Sequence, residues 1–170
     1  KIVDFMEDHS LGIRTNNLTT ATLAIVLPAH NEARLLPRCL AGINQVLLEN
    51  HHQANVIVVD NASTDATGEI AKFFGATVIQ EPKKGIGQAR QSGLLATDKT
   101  NELILTTDSD SVVPNNWVET HKKKLEDPLV SFSCGGIQLI IDQHIPIDRK
   151  LGFYMYLFGR NIVRSSKSFM

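Results

Sequence analysis

Cysteine is scarce in this chain: 170 residues contain only Cys39 and Cys134, far apart and with no CxxC pair. That excludes a zinc knuckle and a disulfide framework, so a reducing compartment, the cytoplasm, is the simplest expectation. A dominant charge sign is missing too. With 17 basic and 18 acidic residues the formal charge is -1, so no overall field draws nucleic acid to the chain, and any anion must be bound locally. No apolar run reaches the roughly 20 residues of a membrane span, and nothing resembles a signal peptide. Neither a solenoid-spaced repeat nor a low-complexity segment is found. Glycine is absent from the first strand exit, Pro28-Ala-His-Asn-Glu32, where a dinucleotide-binding Rossmann domain needs its fingerprint.

What is present is an alternation of aliphatic runs and helical stripes in a chain long enough for one domain with a real core. Leu23 to Leu27 reads as a strand closed by Pro28. Leu36, Leu40, Ile43 and Leu47 fall at helical spacing, with Pro37 tolerable only in a first turn. Val56 to Val59 is β-branched throughout and stops at Asp60, and Asn61 to Asp65 is rich in turn and cap residues. Ala66, Ile70, Phe73 and Phe74 predict the buried stripe of the next helix, ended by Gly75. Thr77 to Ile79 gives a third strand, and Gly85 to Leu95 a third helix. Beyond Pro114, Trp117, Val118, His121 and Leu125 mark a further helix, with His121 to Lys124 read as a hydrated face; a β-rich stretch is expected from Leu129 to Ile141. Such alternation predicts an α/β fold with a mostly parallel sheet, which binds ligands at the carboxyl ends of its strands.

The chemistry concentrates at Leu103 to Asp110. Leu103, Ile104 and Leu105 read as a buried strand ending in two carboxylates, Asp108 and Asp110, one residue apart. In extended chain, side chains at i and i+2 share a face, so the pair is expected to converge on one small volume. That volume suits a hard divalent cation, which prefers oxygen ligands and is held by one or two carboxylates plus water and substrate phosphates.

Ile25-Val-Leu-Pro-Ala-His-Asn-Glu32, Val58-Val-Asp-Asn-Ala-Ser-Thr-Asp65, Gly85-Ile-Gly-Gln-Ala-Arg90 and Asp108-Ser-Asp110, in this order and spacing, resemble the inverting glycosyltransferases of family 2. These have the GT-A fold, a Rossmann-like, mostly parallel sheet with helices on both faces. The resemblance covers about Leu23 to Ile141. It implies an N-terminal extension over 1–21, a nucleotide-sugar-binding domain over 22–141 and the start of an acceptor-side region over 142–170.

By that resemblance, Pro28, Ala29, Asn31 and Glu32 would line the base and ribose of a nucleotide sugar, with a UDP-sugar favoured. Asp60 would accept a hydrogen bond from the uracil imide. Gly85 would let backbone approach the nucleotide, and Arg90 would contact the base or diphosphate. Asp110 would ligate Mn²⁺ or Mg²⁺ directly, and Asp108 would contact the ribose or reach the metal through water. Asp65 reads as a helix cap and Lys83 as a solvated turn. The acceptor would be a saccharide, a lipid-linked saccharide or another hydroxyl compound. The general base is left unassigned: Asp142 and Asp148 follow, but neither stands in a recognisable motif, and a chain truncated before its acceptor site is expected. The apolar stretch Leu151 to Phe158, flanked by Arg149, Lys150, Arg160 and Arg164, offers peripheral contact through 149–164 with the inner face of a membrane.

Two other readings stay open on sequence alone. Asp108-Ser-Asp110-Ser-Val112 also fits the signature of haloacid-dehalogenase-like phosphohydrolases, although that motif closes the first strand of its domain and three strands precede it here. A non-catalytic nucleotide-binding module is the other.

Overall fold

The structure, a computed structural model, describes residues 22–136. The chain divides into two units, residues 1–133 and 134–170, and all the elements below belong to the first. They alternate as β1 (Leu23–Ala29), α1 (Leu36–Glu49), β2 (Ala54–Asp60), α2 (Thr67–Phe73), β3 (Thr77–Gln80), α3 (Ile86–Leu95), β4 (Leu103–Thr106) and α4 (Trp117–Leu125).

Among the described residues the strands form one sheet in the order β3-β2-β1-β4, parallel at each pairing. Successive strands step outward from β1 to β3, and the chain then crosses back to lay β4 on the other side of β1. The reversal opens a crevice between the carboxyl ends of β1 and β4, the place where open α/β sheets bind ligands.

Both sheet faces are covered, which is why the strands read as continuous aliphatic runs. On one face Ile25, Leu27, Val56, Val58 and Leu105 pack with Leu36, Leu40 and Ile43 of α1, Ile70 of α2 and Val118 of α4. On the other, Val26, Ile57 and Val59 meet Ala89 of α3. Pro37 sits in the first turn of α1, where its missing N–H costs no helical bond. Gly75, at φ 78°, takes the left-handed conformation that ends α2.

Four local expectations need correction. Phe73 is exposed while Phe74 is buried, because neighbours on a helix point about 100° apart and the seven-residue α2 turns only one of them to the sheet; Thr67 and Ala71 complete its stripe. In β4 only Leu105 is buried and Ile104 is exposed, since β4 pairs with β1 alone among the described residues. Residues 129–136 contain no strand; the chain turns there, with Val130 N donating to Asp127 O at 2.9 Å. The remaining part of the expected β-rich stretch, like residues 1–21, the tail at 149–164, Asp142 and Asp148, lies outside the described residues.

The fourth correction is His121, which is buried rather than on a hydrated face. It stands edge-on to Trp117, with ring centroids 6.2 Å apart, and its Nδ1 lies 3.0 Å from Ser133 Oγ. Burial, with help from the charge of Lys124, holds its pKa below the ordinary histidine value. The folded chain therefore keeps this ring neutral where the unfolded chain already takes up a proton. Stability is expected to be full above about pH 6.5 and to fall as pH drops toward the lowered folded value. Thermal melts between pH 7.5 and 5 should show this decline in the native chain and a flatter profile in His121→Gln.

Candidate functional site

The loops leaving β1 and β2 are laced together by their own hydrogen bonds. Asn31 N donates to Ser63 Oγ at 3.0 Å, and Thr64 N donates to Asn31 Oδ1 at 2.8 Å. Glu32 N donates to Thr67 Oγ1 at 2.8 Å, while the Thr67 hydroxyl itself donates to Asp65. Asp65 also accepts from Ala33 N at 3.1 Å and Thr67 N at 3.0 Å. Desolvation pushes its pKa up, but these hydrogen bonds to the ionised form outweigh it and hold the carboxyl below the usual range. Two non-glycine residues here, Asn31 at φ 56° and Ala62 at φ 55°, take left-handed backbone, a strain that persists only where surrounding bonds over-determine it.

Behind this lacing lies a cleft of about 410 Å³ lined by Pro28, Ala29, His30, Glu32, Asn61, Lys84, Gly85, Ile86, Ala89, Arg90, Asp108, Ser109 and Asp110. Its volume falls in the range of small-molecule sites. Pro28, Ala29, Glu32, Gly85, Arg90, Asp108 and Asp110 are therefore brought together.

Asn31 and Asp60 are not among the lining residues. The Asn31 amide oxygen accepts from Thr64, and its Nδ2 lies 3.5 Å from His30 Nε2. Asp60 is buried, with Oδ1 accepting from Ser63 N at 3.1 Å and Oδ2 from Gln80 Nε2 at 3.1 Å. Gly68 packs so close that a Cβ there would stand 2.7 Å from Asp60 Oδ2. This carboxylate braces the turn after β2.

The residue that sequence reasoning missed is its neighbour, Asn61. Its Nδ2 donates to Glu81 O at 2.9 Å and Lys83 O at 2.7 Å, and its Oδ1 accepts from Gly85 N at 2.8 Å. Its backbone N donates to Ala29 O at 2.8 Å, and its carbonyl accepts from His30 Nδ1 at 2.7 Å. One buried amide thus ties the exits of β1 and β2 to the loop before α3. Strand-exit position was the available signal for Asn61; Asp60 entered by the family resemblance, as an acceptor for the uracil imide. Asn61→Ala strands three main-chain groups and should cost about 2–3 kcal/mol at roughly 1 kcal/mol per hydrogen bond. Asn61→Asp should do no better, since a carboxylate can only accept and would face two carbonyls. Urea denaturation measures the loss.

The far wall belongs to β4 and α3. Beyond Thr106 the chain leaves the strand and turns, with Ser111 N donating to Asp108 O at 3.1 Å. Asp108 and Asp110 therefore share the cleft through a turn around buried Ser109, not through the extended alternation expected. Arg90 Nη2 donates to Asp108 Oδ1 at 2.8 Å. No hydrogen bond or ion pair engages the Asp110 carboxylate among the described residues. Its charge is nevertheless felt: Glu32 is pushed above the usual carboxylate range by burial and then by Asp110, and the buried Cys39 thiol is pushed up to about 12 by burial and then by Asp110. Cys39 therefore stays protonated, and its Sγ lies 3.7 Å from Asp108 O.

Opposite stand Lys84 and the start of α3, whose cap Gly85 adopts φ 143°, a conformation that favours glycine. The open amides of a helix N-terminus favour negative charge. Glu81 is held below the usual range, first by the Ser92 hydroxyl and then by Lys83 N, fixing the loop from its outer side. Lys83 itself does not line the cleft.

The site thus offers a hard, oxygen-rich edge beside a basic one. Among the described residues no group of three or more His, Cys, Asp or Glu is placed to hold a metal ion. A cation here would draw on Asp110, with Asp108 nearby, and would complete its shell with water and ligand oxygens. That donor set fits Mg²⁺ or Mn²⁺.

Comparison with known proteins agrees with this geometry. The glycosyl transferase family 2 profile matches residues 24–168. Glycosyltransferase GlyG of Streptococcus pneumoniae is 27% identical over 146 residues, 82% of this chain and 44% of that protein. The dolichyl-phosphate hexose transferase of Haloferax volcanii is 34% identical over 96 residues, 56% of this chain and 40% of that protein. Among solved structures, glucosyl-3-phosphoglycerate synthase of Mycobacterium tuberculosis with Mn²⁺, UDP and glucosyl-3-phosphoglycerate superposes with a TM-score of 0.52 at 27% identity, covering 62% of this chain and 39% of that one. The same enzyme with Mg²⁺ and UDP gives 0.52 at 28% identity, with the same coverage. The chain therefore spans less than half the length of these relatives. The Asp108-Ser-Asp110 stretch follows the fourth strand, not the first, which removes the phosphohydrolase reading. With the GT-A arrangement of sheet and helices and a profile match over most of its length, the chain belongs to glycosyl transferase family 2.

Proposed function

We propose that this chain forms the donor-binding part of an enzyme that moves a sugar from a UDP-sugar to an acceptor hydroxyl, with inversion and with Mn²⁺ or Mg²⁺ bound at Asp110. The observation that carries this reading is the meeting of Asp108, Asp110, Lys84 and Arg90 in one cleft at the topological switch point. A nucleoside diphosphate is the ligand whose charge suits both edges.

Cleaving the bond between an anomeric carbon and the diphosphate leaves negative charge on phosphate oxygens. Lys84, Arg90 and the opening amides of α3 would receive that charge, and the amides, fixed in the helix, would need no reorganisation as it develops. A bound dication would supply further stabilisation of the leaving group. Pro28, Ala29 and Glu32 form the wall against which the nucleoside would lie, and Asn61 holds the loop that closes it. An acceptor hydroxyl attacking the opposite face of the sugar inverts its configuration and needs a general base within hydrogen-bond reach. We assign none among the described residues. A lipid-linked acceptor, membrane contact through 149–164 and a cytoplasmic location remain parts of this proposal; free Cys39 and Cys134 suit a reducing compartment, and among the described residues no helix is long and apolar enough to cross a membrane.

Calorimetry with UDP and UMP in the presence of Mn²⁺ tests the reading. UDP should bind at least about tenfold more tightly, the effect of one added charged contact of about 1.4 kcal/mol. Equal affinities would mean that the cleft does not recognise a diphosphate.

A further inference from the structure

The contact between Arg90 and Asp108 lies in the cleft lining and joins two groups that the donor reading employs separately. We propose that Arg90 is a positioning switch: it pairs with Asp108 until a donor binds and then moves to the diphosphate, so that donor and cation bind with positive coupling. This inference rests on the donor reading above.

Three observations carry it. The pair is a single contact, Nη2 to Oδ1 at 2.8 Å, between side chains that are 45% and 55% exposed. Exposed pairs of this kind are weak, so a better ligand can displace this one. The backbone of Asp108 is pinned, because its carbonyl accepts from Ser111 N at 3.1 Å and lies 3.7 Å from Cys39 Sγ. The mobile partner is therefore the long arginine side chain, based on α3 and already lining the cleft with Lys84. Finally, Arg90 uses one of its five N–H donors on Asp108, and two phosphate oxygens would engage the guanidinium in a stronger two-bond fork.

The consequence is a reciprocal dependence. While Arg90 sits on Asp108, its charge opposes a cation approaching Asp110; once a diphosphate takes the guanidinium, that opposition is withdrawn. Linkage then requires the cation to tighten donor binding by the same factor.

The test is titration of Mn²⁺ into the chain, with and without saturating UDP, for the native protein, Arg90→Gln and Arg90→Lys. Without UDP, Arg90→Gln should raise Mn²⁺ affinity about two- to fivefold, as expected for removing a weak competing pair. With UDP the gain should vanish or reverse, because Arg90 has already left. Arg90→Lys, which keeps the charge, should bind Mn²⁺ like the native chain when UDP is absent. An equal gain with and without UDP would mean a fixed pair and would overturn the switch, as would no gain in the free chain. A native chain whose Mn²⁺ affinity is indifferent to UDP would instead sink the donor reading, and the switch with it.

Discussion

Gly93→Val should cost about 3 kcal/mol of stability, the upper end of the usual penalty for overfilling a packed interface. Gly93 lies where α3 presses on the middle of the sheet. A Cβ there would run into Val26 Cγ1 and stand 2.9 Å from Val59 Cγ2. Both valines are buried on central strands, so neither can swing away, and the helix must lift. Valine improves on glycine by only a few tenths of a kcal/mol in helix propensity, which leaves the clash essentially uncompensated. For a domain of this size the penalty corresponds to a fall in Tm of roughly 6–12 °C. Because α3 also carries Arg90 and is capped by Gly85, donor affinity should fall with stability. Gly93→Ala, with one methyl and about 1 kcal/mol of regained helix propensity, should show both effects in weaker form. Thermal melts and UDP titrations on the two variants check the gradient.

The second large effect concerns chemistry rather than packing. Asp110→Asn is nearly isosteric and exposed, so the fold should survive; it should even ease slightly, since the Asp110 charge pushes the pKa of half-buried Glu32 upward. What disappears is the carboxylate for which the described residues provide no hydrogen bond or ion pair. If that charge holds the dication, sugar transfer by the full-length protein should fall about 10²–10³-fold, the usual loss when one preorganised transition-state contact is removed. Asp108→Asn should do less harm, because the donor reading gives Asp108 a contact to the ribose or only a water-mediated reach to the cation. Steady-state rates with a UDP-sugar, alongside melts that confirm folding, separate the two variants.

Where the sequence was legible, the reason was physical redundancy. Val56 to Val59 could only be a strand buried on both faces, Pro37 could only open a helix, and an aliphatic run ending in two carboxylates could only end near water. The parallel α/β sheet follows from such elements, and the GT-A fold from the resemblance that the four motifs carry. Finer placement depended on details that the pattern does not contain. Asp108 and Asp110 share a cleft through a turn that period-two reasoning does not foresee. Phe73 and Phe74 are equally apolar, and only the short length of α2 decides which one is buried. His121 sits beside three lysines and is buried by packing against Trp117, a tertiary contact invisible in a local window. At the β2 exit the local pattern does not tell the two neighbours apart: the carboxylate of Asp60 accepts from Ser63 and Gln80, while Asn61 lines the cleft and holds its loops.

The central claim, a diphosphate met by a cation at Asp110, is tested most directly by calorimetric titration of UDP into the native chain and Asp110→Asn, each with and without Mn²⁺. The account predicts that Mn²⁺ tightens UDP binding by about tenfold or more in the native chain, a gain of about 1.4 kcal/mol, and has no effect in the variant. Equal affinities in all four titrations would contradict it.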